Sequence, residues 1–243
     1  MSSARGRADG AIGSVVDRRP VGRDSALAAQ SSSAPPGWAA ARFRLQGAGR
    51  PFVDSAQRGA LAGSGRGVPL TRHLLAAGLI SNGDTIVLTS GTTTNQVARS
   101  IPAGLQVTAV TSTVNVAMEL CNRRGVSVFV TGGFLHGGWF PLVGATAMQA
   151  LSSISPDKAF IGANGVHPDH GVTAYHSDEA ALNNVMVRQS REKIVVADHS
   201  KLGVVTTHLI CPLGEIDLII TDSGAEDEAI AGFVQKGIEV RRV

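Results

Sequence analysis

From Val68 to the C-terminus, short and nearly uninterrupted apolar runs alternate with amphipathic stretches, and small or polar residues sit at the junctions. A strand buried on both faces reads as a continuous apolar run, because neither side has to meet water. Such strands belong to parallel sheets covered by helices. The runs predict strands over residues 85–88, 107–111, 126–131, 158–163, 193–197, 218–221 and 238–241. Helical spacing predicts helices over 70–80, 93–100, 114–123, 144–154, 178–189 and 226–235. The fold class that follows is α/β: a mostly parallel, Rossmann-like sheet with helices on both faces. Ligands of such sheets bind beyond the carboxyl ends of the strands.

The most distinctive of those ends follows the first strand. There Ser90-Gly91-Thr92-Thr93-Thr94 leads straight into a helix. Gly91 lets the chain turn without a Cβ clash, and the first N–H groups of the helix have no carbonyl partners. Those donors, with the positive end of the helix dipole, attract anions. The hydroxyls of Ser90, Thr92, Thr93 and Thr94 add donors that rotate to meet phosphate oxygens. A plain strand-to-helix connection with Thr as N-cap remains the alternative reading. A nucleoside triphosphate loop is excluded by the missing Gly-Lys-Ser/Thr.

The other strand ends are also small and polar: Thr111-Ser112-Thr113, Thr131-Gly132-Gly133, Gly162-Ala163-Asn164-Gly165 and Ala197-Asp198-His199-Ser200-Lys201. Each glycine alone is explained by a turn, and Lys201 alone by a solvated loop. Together on one rim they suggest a polar pocket with one cation suited to a phosphate, and with His199 facing it.

Composition bounds the remainder. The 22 Lys/Arg and 19 Asp/Glu give a net charge of +3, but the two parts of the chain differ. Residues 1–67 hold ten Arg, no Lys and four acids, a balance of +6, which leaves −3 for residues 68–243. The first segment is dense in Ala, Gly, Ser, Arg and Pro and lacks a sustained apolar period. It cannot bury enough surface to offset its ordering entropy, so residues 1–67 are expected to be a disordered tail. An abrupt change of composition near Val68 also suits translation of a GC-rich frame other than the native one. No apolar run is long enough to span a membrane, and the first residues lack the apolar core of a signal peptide, so a cytoplasmic location is expected. Cys121 and Cys211, the only two cysteines, are expected to be buried free thiols.

The ordered series Ser90-Gly-Thr-Thr-Thr94, Val110 to Leu120 (VTSTVNVAMEL), Val130-Thr-Gly-Gly133, Leu142-Val-Gly144, Pro156 to Val166 (PDKAFIGANGV), Asp178-Glu-Ala-Ala181, Ala197 to Gly203 (ADHSKLG) and Ile216 to Asp222 (IDLIITD) resembles the effector-binding domain of the DeoR family of bacterial transcriptional regulators. The resemblance runs from about Leu74 to Val243. It implies the fold of ribose-5-phosphate isomerase and glucosamine-6-phosphate deaminase, and a homo-oligomeric repressor that senses a phosphorylated sugar or related metabolite. By motif position, Ser90, Gly91, Thr92, Thr93 and Lys201 would hold the phosphate. Thr111, Gly132, Gly133, Asp157, Gly162, Asn164 and Glu179 would line or support the sugar pocket. No cofactor is implied. Operator DNA is implied by the family, yet the usual N-terminal winged helix-turn-helix is not recognisable in residues 1–67, where Pro20, Pro35, Pro36 and Pro51 interrupt any long helix.

Two further readings are weighed against the sensor. A sugar-phosphate isomerase needs a base within hydrogen-bond reach of its substrate. Glu179 is the candidate, though an acid at a helix start also serves the dipole. His167, Asp169, His170 and His176 share a loop in which His-x-x-His spacing could bind zinc, but no Cys or further ligand accompanies them, and solvent-facing histidines are expected there.

Overall fold

The computed structural model describes residues 71–135 and 141–243. The expected tail and its boundary at residue 67 lie outside the described residues. Helix α1 (Arg72–Ala77) is followed by β1 (Thr85–Leu88), α2 (Thr92–Ser100), β2 (Val107–Thr111), α3 (Val114–Leu120) and β3 (Val126–Val130). A two-stranded excursion, β4 (Phe134–Leu135) and β5 (Leu142–Val143), precedes α4 (Ala145–Ser152) and β6 (Lys158–Ile161). Then come β7 (Gly165–His167), β8 (Gly171–Ala174), α5 (Ser177–Gln189), β9 (Glu192–Val196), β10 (His208–Cys211), β11 (Leu218–Thr221), α6 (Asp227–Gln235) and β12 (Glu239–Arg242).

Seven strands form one sheet in the order β12-β11-β9-β6-β1-β2-β3, and every neighbouring pair in it is parallel. The strand alternation feeds two cores. Ile86, Leu88, Ala109, Phe160, Ile194, Val196 and Ile220 pack with Ala76 and Ala77 of α1, Val97 and Ala98 of α2, and Val116 and Leu120 of α3. On the opposite face Val87, Val110, Ala159, Ile161, Val195 and Ile219 pack with Ala147 and Leu151 of α4, Met186 and Val187 of α5, and Phe233 of α6. Both side-chain rows of the central strands are thus removed from water, which is why these strands read as unbroken apolar runs.

The small antiparallel sheet β10-β8-β7 was not expected from the sequence. It adds Val166, Val172, Ala174 and Ile210 to the second core. Residues 165–167 and 171–174 read as loop because Gly165, Pro168 and Gly171 punctuate them. Two of those punctuation marks are instead steric requirements of the sheet. Gly171 has φ of +74°, and a Cβ there would lie 2.2 Å from the Cys211 carbonyl oxygen. A Cβ at Gly165 would lie 2.5 Å from the Val204 carbonyl oxygen and 2.8 Å from Thr173 Oγ1.

Among the cysteines, Cys211 is buried as expected, but Cys121 is exposed. It caps the C-terminus of α3 on the solvent side, where its Sγ donates to the Met118 carbonyl at 3.3 Å. No helix among the described residues is long and apolar enough to cross a membrane.

Candidate functional site

Strands β9, β6 and β1 lie side by side in the middle of the sheet, so the loops after them share one rim. The first loop is built around Thr89 and Thr94. Thr94 Oγ1 donates to the Thr89 carbonyl at 2.8 Å and lies 3.0 Å from the Gly91 carbonyl, which fixes the turn into α2. Gly91 has φ of +136°, a conformation only glycine adopts freely. The second loop is sewn to the first, because the Gly162 N–H donates to Thr89 Oγ1 at 2.9 Å. A Cβ at Gly162 would stand 3.0 Å from the Ser90 carbonyl oxygen, so the absent side chain lets the two loops touch.

These loops, with the start of α5 and the 3-10 turn His199–Lys201, enclose a cavity of about 220 Å³. One wall is the opening of α2, Ser90, Gly91, Thr92 and Thr93, and Lys201 stands on the rim. Gly162, Asn164, Glu179 and Asp198 provide polar groups elsewhere in the lining, and Tyr175 and His176 lie beside them. Ser90 Oγ donates to Glu179 Oε1. Asn164 Oδ1 accepts the Tyr175 N–H at 3.2 Å, which ties β8 to the loop after β6. Asp198 caps its own turn by accepting the Ser200 N–H at 3.0 Å. Partial burial pushes the Asp198 carboxyl upward, but the Ser200 hydrogen bonds and the charges of Lys201 and Arg72 outweigh it and hold the group below its usual value. The cavity therefore sets a helix opening, whose unpartnered N–H groups suit an anion, against acidic and amide groups that suit hydroxyls.

Eight of the residues singled out in the sequence line this cavity: Ser90, Gly91, Thr92, Thr93, Gly162, Asn164, Glu179 and Lys201. Four others lie apart from it. Thr111 is fully buried, its Oγ1 donating to the Leu88 carbonyl at 2.9 Å and accepting the Thr113 N–H at 3.1 Å, so it laces β1 to β2. Gly132 and Gly133 take φ of +70° and +115° where β3 turns towards β4. A Cβ at Gly133 would meet the Val143 carbonyl oxygen at 2.5 Å. Asp157 precedes the amino end of β6, opposite the cavity, where its carboxylate accepts the Thr85 N–H at 2.9 Å and an Arg191 N–H at 3.2 Å. In all four the polar or glycine character answers to the fold.

His199 also departs from expectation. Its ring turns from the cavity to Asp222, with Nδ1 2.6 Å from Asp222 Oδ1. Asp198, Tyr175 and His176 were missed as lining residues. Asp198 could have been found from its place in the Ala197–Lys201 strand end, whereas Tyr175 follows β8, a strand the sequence did not reveal. The rings of His167 and His170 stack edge to face at 4.8 Å, and Asp169 pairs with Lys236 at 2.8 Å. Among the described residues no three His, Cys, Asp or Glu side chains are grouped to hold a metal ion.

A parallel, doubly covered sheet with a helix N-terminus opening on a cavity at its carboxyl rim defines a class of α/β domains whose ligands bind beyond the strand ends. Within that class the chain belongs to the DeoR family, matching the DeoR C-terminal sensor domain over residues 74–223. It is 36% identical over 148 residues to the HTH-type transcriptional repressor GlcR of Bacillus subtilis, covering 61% of this chain and 57% of that protein. It is 33% identical over 161 residues to the HTH-type transcriptional regulator GlpR of Haloferax volcanii, covering 66% of this chain and 63% of that one. The chain thus spans about three fifths of the length of these relatives. Among solved structures it is similar to the full-length sorbitol operon regulator SorC of Klebsiella pneumoniae, with a TM-score of 0.45 and 15% identity over 67% of this chain and 69% of that chain. It is also similar to ribose 5-phosphate isomerase A of Methanocaldococcus jannaschii, with a TM-score of 0.39 and 17% identity over 54% of this chain and 51% of that chain.

Proposed function

We propose that this chain is a transcriptional regulator whose sensor domain binds a phosphorylated sugar or related metabolite in the cavity above β9, β6 and β1. The observation that supports this reading best is the division of labour in the lining. The opening of α2 and Lys201 suit a phosphate dianion. Glu179, Asp198 and Asn164 suit hydroxyl groups, which donate to carboxylates and both donate to and accept from an amide. In this reading Ser90, Gly91, Thr92, Thr93 and Lys201 hold the phosphate, and Gly162, Asn164, Glu179 and Asp198 border the sugar. A free sugar engages only the second set.

The test is a thermal-shift panel of sugar phosphates and their unphosphorylated counterparts. Ligand at a hundred times its Kd adds about 2.7 kcal/mol, so at least one phosphorylated sugar should raise the midpoint while its free sugar does not. A panel in which no phosphate ester stabilises the protein overturns the proposal.

We infer a sensor and not a catalyst. Proton transfer between sugar carbons needs a positioned base; the two carboxylates of the lining, Glu179 and Asp198, hold the Ser90 hydroxyl and the Ser200 N–H, and in this reading both go to substrate hydroxyls. NMR of the stabilising sugar phosphate after prolonged incubation should show no isomer; turnover would return Glu179 to the role of base. DNA contact and homo-oligomer formation complete the proposal, with the DNA-contacting part outside residues 71–243.

A further inference from the structure

The carboxylate of Asp222 lies one residue past β11 and outside the cavity. It gathers donors from three separate segments. Oδ1 is 2.6 Å from His199 Nδ1 and accepts the Gly224 N–H at 3.1 Å. Oδ2 accepts the His199 backbone N–H at 3.1 Å and an Arg72 guanidinium N–H at 3.1 Å. The fit leaves no slack: a Cβ at Gly224 would lie 2.6 Å from His199 Nδ1. Partial burial raises the Asp222 carboxyl, but the hydrogen bonds from His199 and Gly224 and the charge of His199 outweigh it, so the group stays ionised.

What makes the junction more than a staple is the identity of the segments. His199 opens the 3-10 turn whose neighbours Asp198 and Lys201 line the cavity. The turn is a stiff unit, since Asp198 caps Ser200 and the Lys201 N–H donates to the Asp198 carbonyl at 3.0 Å. Arg72 is the first residue of α1, the helix that carries the chain into the sensor fold from residues 1–70.

We propose that Asp222 is a positioning residue that couples occupancy of the cavity to helix α1. An anion seated on the opening of α2 draws Lys201 towards it, the His199–Lys201 turn follows as a unit, and His199 and Arg72 compete for altered positions on one shared carboxylate. The ligand biases α1 only to the extent that the two arrangements of this junction bind it unequally. The proposal rests on the reading of the cavity as an anion-binding effector site, and the experiment separates the two.

Hydrogen–deuterium exchange on the full chain, with and without saturating inorganic phosphate, reads both ends of the coupling. Phosphate should slow exchange at the Thr92–Asn95 amides and change it at Arg72–Ala77. Arg72→Met and Asp222→Asn should keep the first effect and reduce the second by about fivefold or more, the lower bound of ordinary coupling energies. Arg72→Met keeps most of the apolar stem of a side chain that is 29% exposed and removes only its charge, so it is expected to fold even where Asp222→Asn does not. Arg191→Met, which removes a surface arginine paired with Asp157, should leave both effects intact. No protection at Thr92–Asn95 overturns the site reading and the coupling together. Protection there with an unchanged α1 overturns the coupling alone. A ligand response at α1 that survives Arg72→Met, or that is lost equally in Arg191→Met, also overturns it.

Discussion

At the scale of single residues, the proposed function separates groups that would hold a ligand from groups that hold the fold. It puts Thr92 and Lys201 in the first kind, and removing one partner of a charge-assisted bond costs about 1.5–3 kcal/mol. Thr92→Val and Lys201→Ala should therefore weaken the stabilising sugar phosphate about tenfold or more in calorimetric titrations, while the urea midpoint barely moves. Titration curves that match the parent in both variants would place the ligand elsewhere. The two cysteines should behave oppositely towards a thiol reagent. Burial, with Glu215 adding to it, pushes the Cys211 thiol up to about 12, whereas Cys121 is exposed. One thiol should react in native buffer and the second only in denaturant. Acid lability follows from Asp84, Asp198 and Asp222. Burial raises each carboxyl, yet the hydrogen bonds and charges around it prevail: Lys158 and the Ser81 N–H at Asp84, Ser200 at Asp198, His199 and Gly224 at Asp222. With folded values below the unfolded ones, the unfolded chain takes up protons first as pH falls. Their stabilisation is complete above about pH 3.9, the ordinary Asp value, and is lost as pH falls through the folded values. The urea midpoint should thus drop as pH falls below about 3.9, and Asp84→Asn should shrink that drop.

At the scale of elements, the small sheet is the part most exposed to steric damage. Gly171→Ala would push a methyl against the Cys211 carbonyl and ask a left-handed conformation of a β-carbon. A loss of about 1–3 kcal/mol in chemical denaturation is expected. An unaltered midpoint would mean that β8 and β10 can separate freely. The same elements show what a sequence reveals. Strands over 85–88, 107–111 and 218–221 are found at those residues, because a run buried on both faces announces itself through composition alone. Helix ends moved by a few positions, as at α3, which stops at Leu120 and not at 123; beyond it the Arg123 N–H donates to the Leu120 carbonyl at 2.9 Å while its guanidinium donates to the Ile101 carbonyl at the end of α2. Strands β7 and β8 went unread because the glycines that open them resemble loop signals, whereas the reason for those glycines is a carbonyl from a distant segment; β10 holds no glycine and lacks a continuous apolar run, with Leu209 exposed. The lining of the cavity was legible where it depends on a local turn, as at Ser90 to Thr93, and in the loop at Gly162. Thr111 and Asp157 lie apart from the cavity, their side chains bonded to main-chain groups of β1 and its neighbours and, at Asp157, to Arg191. Tertiary pairing of that kind leaves no trace in spacing.

At the scale of the whole chain, charge is divided between +6 in residues 1–67 and −3 in the rest. DNA binding carried by those arginines alone should fall steeply with salt, ignore sequence and disappear from a protein that starts at Val68. A gel-shift competition between the gene's own upstream region and random DNA measures this. A preference of 10³ or more at physiological salt would instead show base-edge contacts, and with them a reading head in the first 67 residues. The order of strands in the sheet also sets a timetable. β1, β2 and β3 leave the ribosome first and can pair at once, but the other side of β1 waits for β6, and the bond that closes this seam joins Thr85 to Asp157, 72 positions later. During synthesis at 5–20 residues per second, the row from Ile86 to Leu88 stays open along one edge for several seconds. A strand in the interior of the finished sheet is therefore the edge of the nascent one, and a message that stalls or breaks before the codon for Lys158 releases a protein with this apolar seam unsealed.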